Sequence, residues 1–161
     1  MRFKRLAGML LASAVVIAAP AIAMISNDPP PTAKGRNYTE GERLVKAKEY
    51  AKAIPVLEKA LADNVRDADA NNLLGYSYRK MGNSQSALTY YQRALQLDPN
   101  HKGANEYLGQ LYVEMKDLPK AEERLAKLAT LCPPATCEEY RDLKQAIDQA
   151  KAGSSAPRTG S

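Results

Sequence analysis

Residues 68–101 read ADANNLLGYSYRKMGNSQSALTYYQRALQLDPNH, a stretch whose pattern describes two helices and two stops. From Ala68 to Met81 the apolar residues Leu74, Tyr78 and Met81 recur at helical spacing. Gly82-Asn83 then supplies a left-handed stop, and Ser84 is the expected N-cap of a second helix. That helix aligns Ala87, Tyr91, Ala94 and Leu95 on one stripe and ends at Asp98-Pro99-Asn100, where the proline forbids continuation. Gly75 and Ala87 are small enough to let the two helices approach closely, which leaves Tyr91 and Ala94 to fill the contact with whatever follows.

The same pattern returns on both sides of this stretch with a period of 34 residues. Gly41, Gly75 and Gly109 fall in one column, Ala53, Ala87 and Ala121 in another, Leu57, Tyr91 and Leu125 in a third, and Ala60, Ala94 and Leu128 in a fourth. A fixed period of this size marks a repeat architecture in which each unit buries its apolar face only against its neighbours. The middle copy, with Leu74-Gly75, Tyr78, Ala87, Tyr91, Ala94 and Pro99, resembles the tetratricopeptide repeat signature at every position except the first, where Asn71 stands for Trp. Leu108, Gly109, Tyr112, Ala121, Leu125 and Pro133 carry the resemblance into a third copy. The first copy departs most, with Glu40 for the leucine, Leu44 for the tyrosine and Val65 for the proline. The resemblance implies an all-α fold, a right-handed α-solenoid of three helix-turn-helix units at about 34–67, 68–101 and 102–135.

Beyond the third unit, Tyr140, Leu143, Ile147 and Ala150 form one apolar stripe backed by Arg141, Lys144, Asp148 and Gln149. Residues 138–151 are therefore expected to form a helix that covers the open end of the stack, started by a capping box of Thr136 and Glu139. Residues 152–161, which end in GSSAPRTGS, read as a disordered tail.

The N-terminal end carries a different signal. A basic start (Met1 to Arg5), an apolar stretch (Leu6 to Ala19) and Ala21-Ile22-Ala23 have the form of an export signal over residues 1–23, cleaved to leave Met24. The alternative is an uncleaved anchor, because Leu6 to Ile25 carries no charge and is long enough to span a bilayer, although Pro20 interrupts it. No cysteine follows the apolar stretch, which excludes a bacterial lipoprotein. Residues 24–36, with Pro29-Pro30-Pro31 among polar neighbours, read as an extended linker. Both readings put the repeats outside the cytoplasm, periplasmic or secreted in the first and anchored to the inner membrane facing the periplasm in the second. The formal charge of +5 includes Arg2, Lys4 and Arg5 of the signal; without them 20 basic residues face 18 acidic ones and no basic run is left, so a nucleic-acid partner is not expected.

Little in the chain suggests catalysis. His101 is the single histidine and lies in a turn between units, where it reads as an exposed turn residue. The pairs Glu122-Glu123 and Glu138-Glu139 are adjacent on helices and point apart. With no Gly-rich phosphate loop either, the expectation is no enzyme and no cofactor. Cys132 and Cys137 flank a four-residue turn, and in an exported chain a structural disulfide is the default. The alternatives are a redox-responsive pair, with Cys137 activated at a helix N-terminus, and a metal site, which would need further ligands.

What the family resemblance implies for function is partner binding along the inner groove formed by the first helices. Its usual contact positions fall here on Tyr38, Glu42 and Lys46, then Asn72, Tyr76, Arg79 and Lys80, then Glu106, Gln110 and Glu114. Asn72, Tyr76 and Arg79 share one helix face, and Tyr76 beside Arg79 is the composition of a peptide-binding hot spot. The basic clamp with which some members grip acidic chaperone tails is absent, since its positions hold Tyr38, Glu42, Leu73, Gly103 and Tyr107. The expected function is that of a periplasmic adaptor, scaffold or assembly factor that holds another protein or a peptide segment. A redox-responsive factor and a membrane-anchored scaffold are the alternatives.

Overall fold

The structure, a computed structural model, describes residues 35–133 and 136–155. The expected signal segment, most of the linker and residues 156–161 lie outside the described residues. Among the described residues seven helices follow in order: α1 (Arg36–Lys46), α2 (Tyr50–Asp63), α3 (Ala68–Lys80), α4 (Ser84–Leu97), α5 (Lys102–Glu114), α6 (Leu118–Leu131) and α7 (Glu138–Ser155). Among the described residues none of these helices is long and apolar enough to cross a membrane.

The 34-residue period is visible in the backbone itself. Lys48, Gly82 and Lys116, each 34 residues apart, adopt positive φ of 61°, 79° and 61°. At each, the next residue's N–H reaches back to a carbonyl of the preceding helix: Glu49 to Leu44, Asn83 to Tyr78 and Asp117 to Tyr112. This is the C-terminal motif that glycine favours, yet two of the three copies place lysine there and bear the steric cost of a Cβ in the left-handed region. The helix after the turn is capped by Asn83 in the second unit and Asp117 in the third, whose side chains accept the Ser86 and Lys120 N–H groups. Ser84 is thus the first helical residue and not the cap, because the turn consumes only Met81 and Gly82.

Between units the caps are Asp67 and His101. His101 is no exposed turn residue: its side chain is 13% exposed. Its Nδ1 accepts the Ala104 N–H at 3.1 Å, so the ring proton lies on Nε2, which donates to Asp69 Oδ1 on α3 at 3.0 Å. Two buried asparagines, again 34 apart, add to these joints. Asn71 donates to the Asp67 carbonyl, and Asn105 donates to the carbonyls of His101 and Pro99.

Close packing inside units depends on the glycine column. A Cβ on Gly75 would stand 2.6 Å from the Tyr91 ring, and one on Gly41 would collide with Leu57. Gly75 therefore makes room for Tyr91 across the unit, and Tyr91 is fully buried beside Leu108 and Leu111 of the next one. At Gly109 the occupant is Leu143 of α7. Leu143 stands 34 residues after Gly109, so α7 occupies the register of a fourth first helix, packed on α5 and α6, with leucine in the glycine column.

The ends of α7 differ from expectation. Its first backbone bond runs from Arg141 N–H to the Cys137 carbonyl, while the Thr136 hydroxyl donates to the Pro133 carbonyl, so the expected capping box does not form. The helix also continues to Ser155, past the expected end at residue 151. Gly153 alone costs about 1 kcal/mol in a helix, and the first residue that forbids continuation is Pro157.

These observations predict opposite effects from two glycine exchanges. Gly75→Ala should lower the unfolding free energy by about 1–3 kcal/mol by crowding Tyr91. Lys116→Gly should raise it by roughly 0.5–1 kcal/mol by relieving the left-handed residue, both read by chemical denaturation.

Candidate groove along the first helices

The first helices adjoin in series, α1 to α3, α3 to α5 and α5 to α7, and so present one continuous surface. Its centre is aromatic. The Tyr76 ring lies 4.9 Å from Tyr107 on α5 and 5.9 Å from Tyr50 at the start of α2, and Lys80 Nζ stands 5.2 Å over it. Tyr107 in turn approaches Tyr91 at 6.3 Å. Tyr76 is half-buried, so one part of the ring fixes neighbouring helices together while another remains open to a ligand.

The expected contact residues separate by depth. Tyr38 is 4% exposed in a core cluster with Ala60 and Ala70, and so serves the packing of α1 on α2 and α3 instead of the groove. Glu42 and Lys46 form an exposed pair on α1 at 3.1 Å. Asn72 is 7% exposed, with its Oδ1 buried and lacking a hydrogen-bond partner. Arg79 is a correction to the expected hot spot. Its side chain is 8% exposed, and its Nε and Nη2 donate to Glu114 Oε1 at 2.9 and 2.8 Å. Burial opposes the charge on Arg79, yet its hydrogen bonds to Glu114 hold its pKa above the usual value. Arg79 thus ties α3 to α5 beneath the surface, and Glu114, half-exposed, is its outer partner.

Glu106 is the most perturbed acid. It is 7% exposed and accepts the Gln110 Nε2–H at 2.7 Å. Burial, reinforced by Asp142 and Glu139 and opposed by Arg79, raises its pKa to about 8. Burial likewise pushes the Tyr107 hydroxyl up to about 12, with Glu106 adding to the effect. Glu106 and Tyr107 line a pocket of about 240 Å³ with Gly103 of α5 and Glu138, Glu139 and Asp142 of α7. A second hollow of about 420 Å³ lies elsewhere, between α4, α5 and α6, lined by Gln92, Leu95, Gln96, Leu108, Tyr112, Glu123 and Arg124.

The arrangement therefore brings together Tyr76 with Lys80, Arg79 with Glu114, and Glu106 with Gln110, while Glu42 and Lys46 stand as a pair of their own. The acids of α7 were missed by reading that helix as a cover, although its 34-residue register with α5 was a signal that it extends the same surface. At the turn before α7 the Cα atoms of Cys132 and Cys137 are 5.7 Å apart, within the range a disulfide spans.

Two sequence models described as tetratricopeptide repeat match the chain, one over residues 68–101 and one over residues 38–80. The chain is similar to the uncharacterized protein ycf37 of Pyropia yezoensis, at 39% identity over 71 residues, and the match covers 44% of this chain and 40% of that relative. Among solved structures it resembles MamA 41-end from Desulfovibrio magneticus RS-1, with a TM-score of 0.58, 33% identity, and coverage of 63% of this chain and 57% of that one. It also shares its fold with the first TPR of Spaghetti (RPAP3) bound to the HSP90 peptide SRMEEVD, with a TM-score of 0.64, 18% identity, and coverage of 72% and 90%.

The raised pKa of Glu106 sets a pH dependence of stability. The folded chain keeps this proton up to about pH 8, whereas the unfolded chain releases it near 4.5, so stability is lost as pH rises between those values. Glu106→Gln should match the parent near pH 4.5 and exceed it at pH 9, with a melting temperature higher by at least about 4 °C in thermal denaturation.

Proposed function

The chain is a tetratricopeptide repeat protein, and we propose that it acts as an adaptor, scaffold or assembly factor that holds a partner segment along the surface of α1, α3, α5 and α7. The observation that carries this reading is the half-buried aromatic centre, Tyr76 against Tyr107 with Lys80 above it, set on a rigid row of helices. Rigid aromatic groups beside a cation offer contact area with little ordering cost. The peptide held by the RPAP3 repeats gives a precedent for this fold, but the basic positions of that type of grip hold Tyr38, Glu42, Leu73, Gly103 and Tyr107 here. An acidic chaperone tail is therefore not the proposed ligand.

A non-catalytic role fits the use of His101, whose Nδ1 caps α5 through Ala104 and whose Nε2 ties that helix to Asp69 on α3. The export signal read in residues 1–23 supports a periplasmic or secreted location, and the cysteine pair is consistent with it. In this reading Cys132 and Cys137 form a structural disulfide that fixes α7 to the end of α6. Cys137 is 3% exposed, which favours a staple over a pair that cycles with an external reductant.

In a pull-down from the source cell envelope, Tyr76→Ala/Lys80→Ala should lose the partner, whereas Gln92→Ala on α4 should keep it. Retention by the double variant would refute the groove. Mass spectrometry of the exported chain should find a mature start at Met24, and an intact start at Met1 would establish the anchored form. Cys132→Ser/Cys137→Ser should cost about 2 kcal/mol of stability without abolishing capture, as loop-closure entropy predicts for so short a loop. Loss of capture under mild reductant would support the redox reading instead.

A further inference from the structure

We propose that the segment held at Tyr76 and Tyr107 is a proline-bearing extended stretch of a partner protein, with an acidic residue beside the prolines that meets Lys80. The inference rests on the groove reading above and names the chemistry of its ligand. Three rings form the surface at this point. Tyr50 stands at an interplanar angle of 68° to Tyr76, and Tyr107 is tilted from Tyr76 by 49°. Rings set at such angles leave recesses walled by aromatic faces, which suit the rigid ring of a proline already held in an extended chain. Tyr78 and Tyr90, by contrast, are parallel within 6° and spend their facing sides on each other.

The polar groups of the three rings are donors in want of acceptors. The hydroxyls of Tyr50, Tyr76 and Tyr107 have no hydrogen-bond partner among the described residues, whereas the Tyr78 hydroxyl donates to Glu58. Burial pushes the Tyr107 hydroxyl up to about 12, so it keeps its proton to give. A proline residue has no N–H and presents only its carbonyl, which in the extended form is bound to nothing in its own chain. A helical ligand spends its carbonyls internally. A strand brings N–H groups that need a sheet edge, and this surface is built of helices. Aliphatic neighbours such as Leu73 are committed to the cores beneath, so an amphipathic helix finds no aliphatic trough here.

Charge selects the residue beside the prolines. Glu42 is paired with Lys46 and Glu114 with Arg79, so an uncharged segment crosses these positions without opposition. Lys80 is exposed, and no carboxylate among the described residues pairs with its Nζ, which rests over the Tyr76 ring. A carboxylate arriving there gains a charge-assisted hydrogen bond next to an aromatic wall that screens it from water. Beyond Tyr107 the acids Glu139 and Asp142 stand on α7, which places the ligand's acid at the Lys80 end and leaves the prolines to Tyr107.

The test is an NMR titration of the 15N-labelled full chain with blocked nonapeptides of glycine and alanine that carry three central prolines. Aspartate stands before the prolines in one peptide and after them in another, and control forms replace the aspartate by asparagine or the prolines by alanine. The tighter aspartate peptide should shift the amides of Tyr76, Lys80 and Tyr107 saturably, with its asparagine form severalfold weaker and its alanine form roughly tenfold weaker or more. Lys80→Ala, an exposed exchange, should erase the difference between aspartate and asparagine and keep that between proline and alanine. Tyr107→Phe should weaken every proline peptide with an unchanged helical circular dichroism spectrum. Equal binding of the asparagine or alanine form, tighter binding of a leucine-bearing amphipathic helix at the same amides, or no binding of any peptide would each overturn the proposal. If partner capture depends on Tyr76 and Lys80 while the proline peptides fail, the groove stands and the ligand assignment falls. If the proline peptides bind at these amides while capture ignores Tyr76 and Lys80, the groove reading of capture falls and the proline site stands.

Discussion

The fold depends on the seating of one large side chain against the glycine of each first helix. Tyr91 can be fully buried only because Gly75 has no Cβ, Leu57 stands in the same relation to Gly41, and at Gly109 the place is taken by Leu143 of α7 instead of a residue of the same unit. Once that approach is made, the fully buried small residues Ala87 and Ala121 complete the contact, and the next first helix finds Tyr91 already in place as part of its own floor. Each unit therefore stabilises its neighbour through the same residue that holds it together, which is how a stack of short helices becomes cooperative. The glycine has a cost in backbone entropy that only this packing offsets.

Apolar contact along the stack is joined by a second, polar system at the seams. Asn71 and Asn105 are fully buried, and each donates its amide N–H to carbonyls at the start of its own helix, although the Asn71 Oδ1 has no hydrogen-bond partner. His101 works on the same seam, capping α5 and reaching Asp69 on α3. A buried amide that pairs with backbone groups contributes little net stability but penalises other registers, since a slipped helix would leave it unsatisfied. These joints help to fix the angle between units, and with it the curvature on which any groove depends.

Much of the architecture was legible because period, glycine, alanine and proline act through local sterics that a sequence displays directly. The column of Gly41, Gly75 and Gly109 specified the close approach, and Pro99 the end of α4. What the residues could not show was depth. Asn72, Tyr76 and Arg79 do share a helix face, but α5 covers Arg79 and leaves Tyr76 half-open, a difference set by the neighbouring helix and by Glu114 far along the chain. Tyr38 was misplaced for the same reason, since α2 and α3 close over it. His101 showed its position but not its bonds, because a turn residue becomes a joint only when Asp69 of the previous unit is brought beside it.

The end helix α7 shows how a cover can acquire a second use. A stack must terminate, and Leu143 and Ile147 bury the last apolar face while the rest of α7 stays polar. Because α7 sits in the register of a first helix, some of that polar surface borders the same face, with Glu138 and Glu139 in its first turn and Asp142 one turn on. Acids are favourable at a helix N-terminus, where the unpaired N–H groups and the macrodipole offset their charge. Burial raises the pKa of Glu106, and the approach of Asp142 and Glu139 adds to it, at a cost to stability above its ordinary titration range. The same helix therefore buries the end of the stack with its apolar stripe and, with its acids, sets the environment of a buried carboxyl on α5.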